Sequence, residues 1–371
     1  MKFIKKLKEK GYAFRNVKDK FIFYQQKLYS DKQDLVGILY DLKLKLLSEL
    51  HMFMSPRVYY EEDNQVFGVD KSESSINKVD LISWSIVNSY AYPSDSHPIL
   101  FLNNHEVVLK SRTAYLRYNF INNSTIWEIK SPYSLLRQSV RNTFLVFTDL
   151  NNHSKIINVN LKKGEKLWEH DFSQKEAFQD FFNSRADFEL YSKLENTSIR
   201  TFDFFEDKII IQFQNGAILL AIDIESGKCL WTYNQVKWNP TYSDYSHFKI
   251  DIKGLCYLLG DKLDYHLKTI DINTGKLVWE SKINWLKQSQ LTTTSYFSDF
   301  SMNEKYIFIT NVSRAIILVI DKATGVLVEE MPVFKKQKEI YGVVDTPQIM
   351  GNKLLQLVVG ELFVYDISEY V

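Results

Sequence analysis

The sequence predicts an all-β chain of repeated four-stranded antiparallel units, and three observations predict it. The stretch LKTIDINTGKLVWESKI sets Asp271, Gly275 and Trp279 four residues apart. The spacing returns at Asp223, Gly227 and Trp231, and again at Gly164 and Trp168 with Asn160 in the acid slot. A polar turn and an apolar, β-branched run precede these hairpins.

Each slot has a physical reading. The run before Asp271 has the length of one strand, and KLVWESKI after it makes a second. The Asp271 carboxylate can accept N–H bonds from the turn between them. Gly275 adopts positive φ cheaply, as a hairpin loop with a left-handed residue requires. Asn123 fills that slot before Trp127, because asparagine tolerates the left-handed region better than most residues. The tryptophan then lies on the second strand, where it can wedge against a neighbouring sheet. Asp321 and Gly325 keep the pattern, with Glu329 in the tryptophan slot. The runs EDKIIIQFQ (206–214), NEKYIFITN (303–311), GNKLLQLVV (351–359) and RNTFLVFTD (141–149) supply a third strand, and RTFDFF (200–205) a fourth.

The first 55 residues admit two readings. Phe3, Leu7, Phe14, Val17, Phe21, Tyr24 and Leu28 fall at helical spacing, and Ser30–Gln33 has a capping-box pattern. That favours a helical extension. VKDKFIFYQQ mirrors EDKIIIQFQ, however, and Asp41 and Glu49 stand at the offset of Asp321 and Glu329. That favours a divergent first unit, which is preferred. Taking Asp70 and Trp84 for the next unit, the anchors are residues 49, 84, 127, 168, 231, 279 and 329. The last unit lacks a closing strand, which residues 2–7 can supply. Steps of 41, 63, 48 and 50 residues between the later anchors indicate stacked repeats. The expected fold is therefore a single β-propeller domain over residues 1–371, with eight blades, seven as the alternative, and one short inserted helix.

Bulk composition bounds the function. The 371 residues carry a formal charge of +1, so there is no global bias toward nucleic acid, and none is expected as a partner. Only the first 50 residues are basic, with 12 Lys/Arg against 6 Asp/Glu. Aromatic content is high, with 25 Phe, 22 Tyr and 7 Trp. Two cysteines, Cys229 and Cys256, are too few for a disulfide framework. Lysines 2, 5, 6, 8 and 10 interrupt any signal-peptide core, and no apolar run is long enough to span a membrane. The expectation is a soluble cytoplasmic protein.

The recurring Asp-x-x-x-Gly-x-x-x-Trp, with LLAID or KTID before it, resembles the PQQ-like repeat of quinoprotein dehydrogenase propellers and BamB-type outer-membrane assembly lipoproteins. The resemblance covers about two-thirds of the chain and fades before residue 110. It implies a propeller. In the dehydrogenases it also implies a quinone, a calcium ion, a catalytic Asp and often a vicinal cysteine pair. No Cys-Cys occurs here, and the repeat aspartates are placed for turns. The BamB type needs a lipoprotein signal, which the sequence lacks. Neither role carries over, and no cofactor is expected.

No chemistry stands out elsewhere. The seven histidines form no H-x-x-x-H or H-E-x-x-H, so no metal site is expected. His97 in SDSHP reads as a polar loop. Asp203 with Glu206 and Asp207 reads as a solvated turn rather than a glycosidase pair. Two stretches depart from the repeat. Residues 173–200 read as an inserted helix with a Ser173–Glu176 capping box and an apolar stripe of Phe178, Phe181, Phe182 and Phe188. It either packs on the propeller or binds a partner. Residues 233–249 form a turn-rich connection bearing Trp238, Tyr242 and Tyr245. Phe181, Phe182, Trp238, Tyr242 and Tyr245 are thus the candidate partner-binding residues, and no catalytic residue is assigned. The expected function is a non-enzymatic module binding a protein, one version being an immunity protein that caps a cognate toxin. The alternative is an enzyme, a hydrolase or quinone-dependent oxidoreductase, with its site at the channel mouth.

Overall fold

A computed structural model describes the chain except for residues 1, 11–12, 18–19, 30–31, 42–44, 52–58, 63–64, 71–73, 84, 131–132, 139–143, 150–153, 194–196, 214–217, 235–246, 260–265, 283–296, 312–315, 333–345 and 359–360. The described residues form strands almost throughout. Strand β1 is Lys2–Lys10. The next sheet is β2 (Ala13–Val17), β3 (Lys20–Tyr29), β4 (Lys32–Asp41) and β5 (Leu46–His51). Then come β6 (Tyr59–Glu62), β7 (Gln65–Asp70), β8 (Ser75–Asp80) and β9 (Ser85–Ala91), followed by β10 (His97–Phe101), β11 (Glu106–Lys110), β12 (Ala114–Asn119) and β13 (Ser124–Lys130).

The central part of the chain holds β14 (Tyr133–Gln138), β15 (Phe144–Asp149), β16 (Lys155–Asn160) and β17 (Lys166–Asp171). It continues with β18 (Ile199–Phe205), β19 (Lys208–Phe213), β20 (Ile218–Asp223) and β21 (Cys229–Asn234), then β22 (His247–Ile250), β23 (Leu255–Leu259), β24 (His266–Asp271) and β25 (Leu277–Lys282). The chain ends with β26 (Phe297–Met302), β27 (Tyr306–Asn311), β28 (Ile316–Asp321) and β29 (Leu327–Pro332), then β30 (Gln348–Met350), β31 (Lys353–Val358) and β32 (Glu361–Asp366). Strand β1 pairs antiparallel with β32, so the last sheet takes its fourth strand from the other end of the chain.

Every sheet is antiparallel and four-stranded, and all but the last are meanders of consecutive strands. In the β26–β29 sheet the second and third strands are apolar without alternation: YIFIT in β27 and IILVI in β28 are buried nearly end to end. Such strands are covered on both faces, so a period-two pattern has no solvent side to report. The fourth strand differs. Strand β29, LVEEMP, leaves three of its six residues exposed.

The chain divides into two compact units. The first joins residues 1–130 to 294–371 and holds five sheets; the second, residues 131–293, holds three. The expected ring of eight blades, or seven, is corrected by this division, because neither compact unit contains seven or eight sheets. The core of the second unit gathers Phe172, Phe202, Phe213, Ile209 and Ile211. The first unit has separate clusters around Phe67, Tyr118 and Phe120 and around Phe308, Tyr365 and Tyr370.

Helix is minimal. The inserted helix expected over 173–200 is a 3₁₀ turn, Lys175–Phe178, and one α-helix, α1 (Arg185–Ser192). The capping box is not Ser173–Glu176, because the Ser173 hydroxyl donates to Asp171 at 2.5 Å. The cap is Ser184: its Oγ accepts from the Asp187 N–H at 3.1 Å and donates to the Asp187 carboxylate at 2.7 Å. The helical reading of the first 55 residues fails, since β1–β5 occupy that segment. Apolar residues at such spacing do not by themselves tell a helix from a strand.

Candidate interaction surface

The repeated hairpin is an Asx turn closed by a left-handed residue. Asp271 Oδ1 accepts from the N–H of Asn273 at 2.9 Å and of Thr274 at 2.8 Å. The Gly275 N–H then donates to the Asp271 carbonyl at 2.8 Å, with Gly275 at φ +68°. Asp223 accepts from Ser226 and Asp321 from Ala323 and Thr324, while Asn160 serves in the same way for Lys162 and Lys163. Gly164, Gly227 and Gly325 have φ of +74°, +70° and +71°, and Asn123 takes +54°. These residues are committed to the backbone, and their chemistry is spent in the turn.

Tryptophan in this repeat locks one sheet to the next. Trp168 Nε1 donates to the Ile224 carbonyl at 2.9 Å, and Trp231 Nε1 to the Ile272 carbonyl at 2.6 Å. Both acceptors directly follow the turn aspartate of the following sheet. Asn158 Nδ2 reaches the same Ile224 carbonyl at 2.5 Å. A Cβ placed on Gly227 would lie 2.8 Å from Trp168 Cγ, and one on Gly275 would lie 2.6 Å from Trp231 Cδ2. Glycine is therefore required twice over, for its φ and for the indole lying upon it. Trp279 lies on β25 with its ring 6.2 Å from that of Tyr257.

Two expected anchors move. In β9 the register skips at Val87, which puts Asn88 in the tryptophan slot, eight residues after Asp80. Asp80 Oδ1 accepts from Ile82 and Ser83 as the other turn acids do. Trp84 itself lies outside the described residues. In β5 the slot falls on Ser48 rather than Glu49, because the Asp41–Lys45 turn closes one residue earlier.

These register skips mark a recurring exposed position that the sequence reading missed. The fourth strand carries a β-bulge just before the tryptophan slot, and the extra residue is Ile4, Leu47, Val87, Ile126, Leu167, Leu230, Val278 or Val328. All eight are aliphatic. The seven from Leu47 onward are 38 to 53% exposed. A bulge leaves its extra residue out of the ladder and bends the edge, which discourages strand-on-strand pairing. Its side chain is then free to face solvent. The signal in the sequence was the aliphatic residue before Trp127, Trp168, Trp231 and Trp279, which reads as ordinary strand composition without the register.

The insertion places its aromatic residues differently. Phe182 is 7% exposed and Phe181 half-buried, both within the cluster of Phe172, Phe178, Tyr191 and Phe213. The Phe181 and Phe182 rings meet edge to face at 5.3 Å. They serve the core of the second unit in this conformation. Asn183 Nδ2 caps the free Leu230 carbonyl of edge strand β21 at 2.7 Å. Trp238, Tyr242 and Tyr245 lie outside the described residues.

Titratable groups show structural causes. His170 donates from Nε2 to the Gly227 carbonyl at 2.7 Å, and burial among aromatic rings holds its pKa below the ordinary imidazole value. Burial pushes the Cys229 thiol up to about 12 and Cys256 higher still, so neither is a ready nucleophile. Partial burial works to raise the pKa of Glu169, but hydrogen bonds and charge from Lys155 and Lys166 outweigh it and hold the carboxylate below its usual range. Glu106 is 8% exposed and accepts from Arg117 Nε at 2.9 Å, a pair within the β10–β13 sheet. No group of three or more metal-ligating side chains gathers among the described residues. No helix there is long and apolar enough to cross a membrane.

No family model and no curated protein matches this chain. Solved structures do. BamB from Moraxella catarrhalis is similar at 9% identity, over 98% of this chain and 99% of that one, with a TM-score of 0.57. The β-propeller domain of Cps50 (Swd1) from Myceliophteria thermophila is similar at 8% identity, over 99% of both chains, with a TM-score of 0.51. Hsv2 from Kluyvelomyces marxianus is similar at 11% identity, over 88% of this chain and 100% of that one, with a TM-score of 0.51. At such identities the likeness shows the fold alone, and the fold is a β-propeller of four-stranded antiparallel sheets.

Proposed function

We propose that this protein is a non-enzymatic interaction module that binds a protein partner, on a divergent repeat of the PQQ-like type. One observation carries the reading: an exposed aliphatic side chain recurs at the edge-strand bulge of successive sheets, from Leu47 to Val328. Burying such a residue gains about 25 cal/mol per Å² of apolar surface. Leaving Leu167, Leu230 and Val278 of the second unit partly in water is a solvation cost that a docked partner removes. The bulges block strand addition, so the partner contacts side chains rather than extending a sheet. An immunity protein capping a cognate toxin is one version of this function.

The test is capture of the partner from the native cell with Leu167→Asp, Leu230→Asp and Val278→Asp combined, against the wild type. A stoichiometric protein that binds the wild type and not the variant supports the module, and its identity separates a toxin from other partners. Equal capture by a variant that keeps its β-sheet circular dichroism would remove the bulges from the function.

A further inference from the structure

His170 joins three elements that belong to different parts of the second unit. It sits on β17, bonds the Gly227 carbonyl in the β20–β21 hairpin, and faces the insertion through Phe181 and Phe178, with ring centroids 5.0 and 5.7 Å away. Trp168 at 4.9 Å and Phe172 at 6.0 Å complete its surroundings. Because a carbonyl only accepts, Nε2 carries the proton and Nδ1 is bare in the neutral ring. The rings of β17 and the insertion that face it do not titrate. On the hairpin it meets Gly227, with Asp223 occupied by Ser226 and Lys228 exposed. On β17, Glu169 is held by Lys155 and Lys166 and Asp171 by Ser173. On the insertion, Glu176 and Asp180 are exposed. No carboxylate forms an ion pair with this imidazole among the described residues.

We propose that His170 is a proton-operated latch: a second proton on its ring releases the insertion, residues 173–193, and uncovers Phe178, Phe181, Phe182 and Tyr191. An imidazolium among four aromatic rings has a new N–H and a full charge with no anion to meet them, whereas the released state gives both to water. The sign follows from linkage. The docked state holds the proton less tightly than the released state, so docking is complete above the ordinary imidazole value of about 6.5 and weakens as pH falls below it. Between the docked and released values, each pH unit shifts the ratio of released to docked forms about tenfold. The latch does not depend on the partner reading, although the surface it uncovers would suit an apolar partner.

Hydrogen–deuterium exchange read by mass spectrometry at pH 7.5 and 5.5, corrected for intrinsic exchange, tests it. The wild type should lose protection in 173–193 at pH 5.5, by at most about tenfold, while β19 stays protected. His170→Phe keeps a ring in place and His170→Gln keeps a donor for Gly227, and neither takes up a proton. Both should hold the insertion equally at the two pH values. The proposal is overturned by wild-type protection that does not change with pH, by the same change in both variants, or by β19 opening together with the insertion.

Discussion

The hydroxyl of Tyr370 donates a hydrogen bond to the carboxylate of Glu329, and each residue fills a slot that the repeat normally gives to another type. Glu329 stands where Trp231 or Trp168 would, and Tyr370 stands four residues after Asp366, where glycine would. Elsewhere an indole lies on the bare glycine of the following sheet. Here both members have changed, so that a large ring on one side meets a small acid on the other. Asn303 holds the Tyr370 carbonyl at 2.7 Å, which fixes the exchanged pair from a third side.

That pair predicts coupling. Glu329→Trp alone should destabilise by about 1–3 kcal/mol through overpacking, and Tyr370→Gly alone by about 3 kcal/mol or more through loss of a buried ring. The double variant should recover part of the loss, giving an interaction of about 1 kcal/mol or larger in a double-mutant cycle from denaturant unfolding. Strict additivity would show that the two slots are independent.

Gly275→Ala and Gly351→Ala separate conformation from packing. Both glycines have positive φ, +68° and +56°. A Cβ on Gly275 strikes the Trp231 ring, whereas one on Gly351 meets nothing within 4 Å. Gly351→Ala should cost about 1–2 kcal/mol, the left-handed penalty alone, and Gly275→Ala about 1–3 kcal/mol more. Equal midpoint shifts in urea would contradict the stacked indole.

The helix cap makes a local prediction. Ser184→Ala should weaken α1 by about 1 kcal/mol, seen as faster amide exchange across residues 185–192. Ser173→Ala should leave α1 exchange unchanged, since that hydroxyl serves Asp171.

Glu169 sets a pH dependence of opposite origin to that of His170. Its carboxylate is held below the ordinary range by Lys155 and Lys166 against the effect of burial. A carboxylate with a lowered native pKa stabilises at neutral pH, and the contribution is lost as pH falls through the lowered value. Glu169→Gln should therefore flatten the acid limb of the stability curve below about pH 4.5 while lowering stability at pH 7. An unchanged acid limb would mean that the pair contributes nothing net, as many exposed pairs do.

Much of the turn chemistry was legible in advance. Asp271 with Gly275 and Asp223 with Gly227 are contacts over four residues, so the sequence window that shows the residues also contains the cause. The same logic failed where a turn changed length. Asp41 closes its hairpin one residue early, and the slot shifts from Glu49 to Ser48 with no local mark. Trp84 drew attention as a large aromatic residue, but Asn88 holds the slot because register follows the bulge at Val87. Ser173 and Glu176 satisfied a capping pattern that Ser184 and Asp187 satisfy equally. Only the neighbouring Asp171 decides between them.

By itself the sequence determined the strands, the acids and glycines that turn them, and the use of the first strand to complete the last sheet. The strands and turns depend on backbone preferences and on hydrogen bonds within a few residues, and the closing strand follows from a last sheet that is one strand short, although its pairing joins Lys2 to Asp366. The tertiary structure decided the rest. It divided the sheets between two units, seated Trp168 and Trp231 on carbonyls 56 and 41 residues away, folded Phe182 inward, and left the bulge aliphatics facing water. Each of those outcomes is a competition for the same apolar surface between residues far apart in the chain, and only the packed structure shows which of them wins.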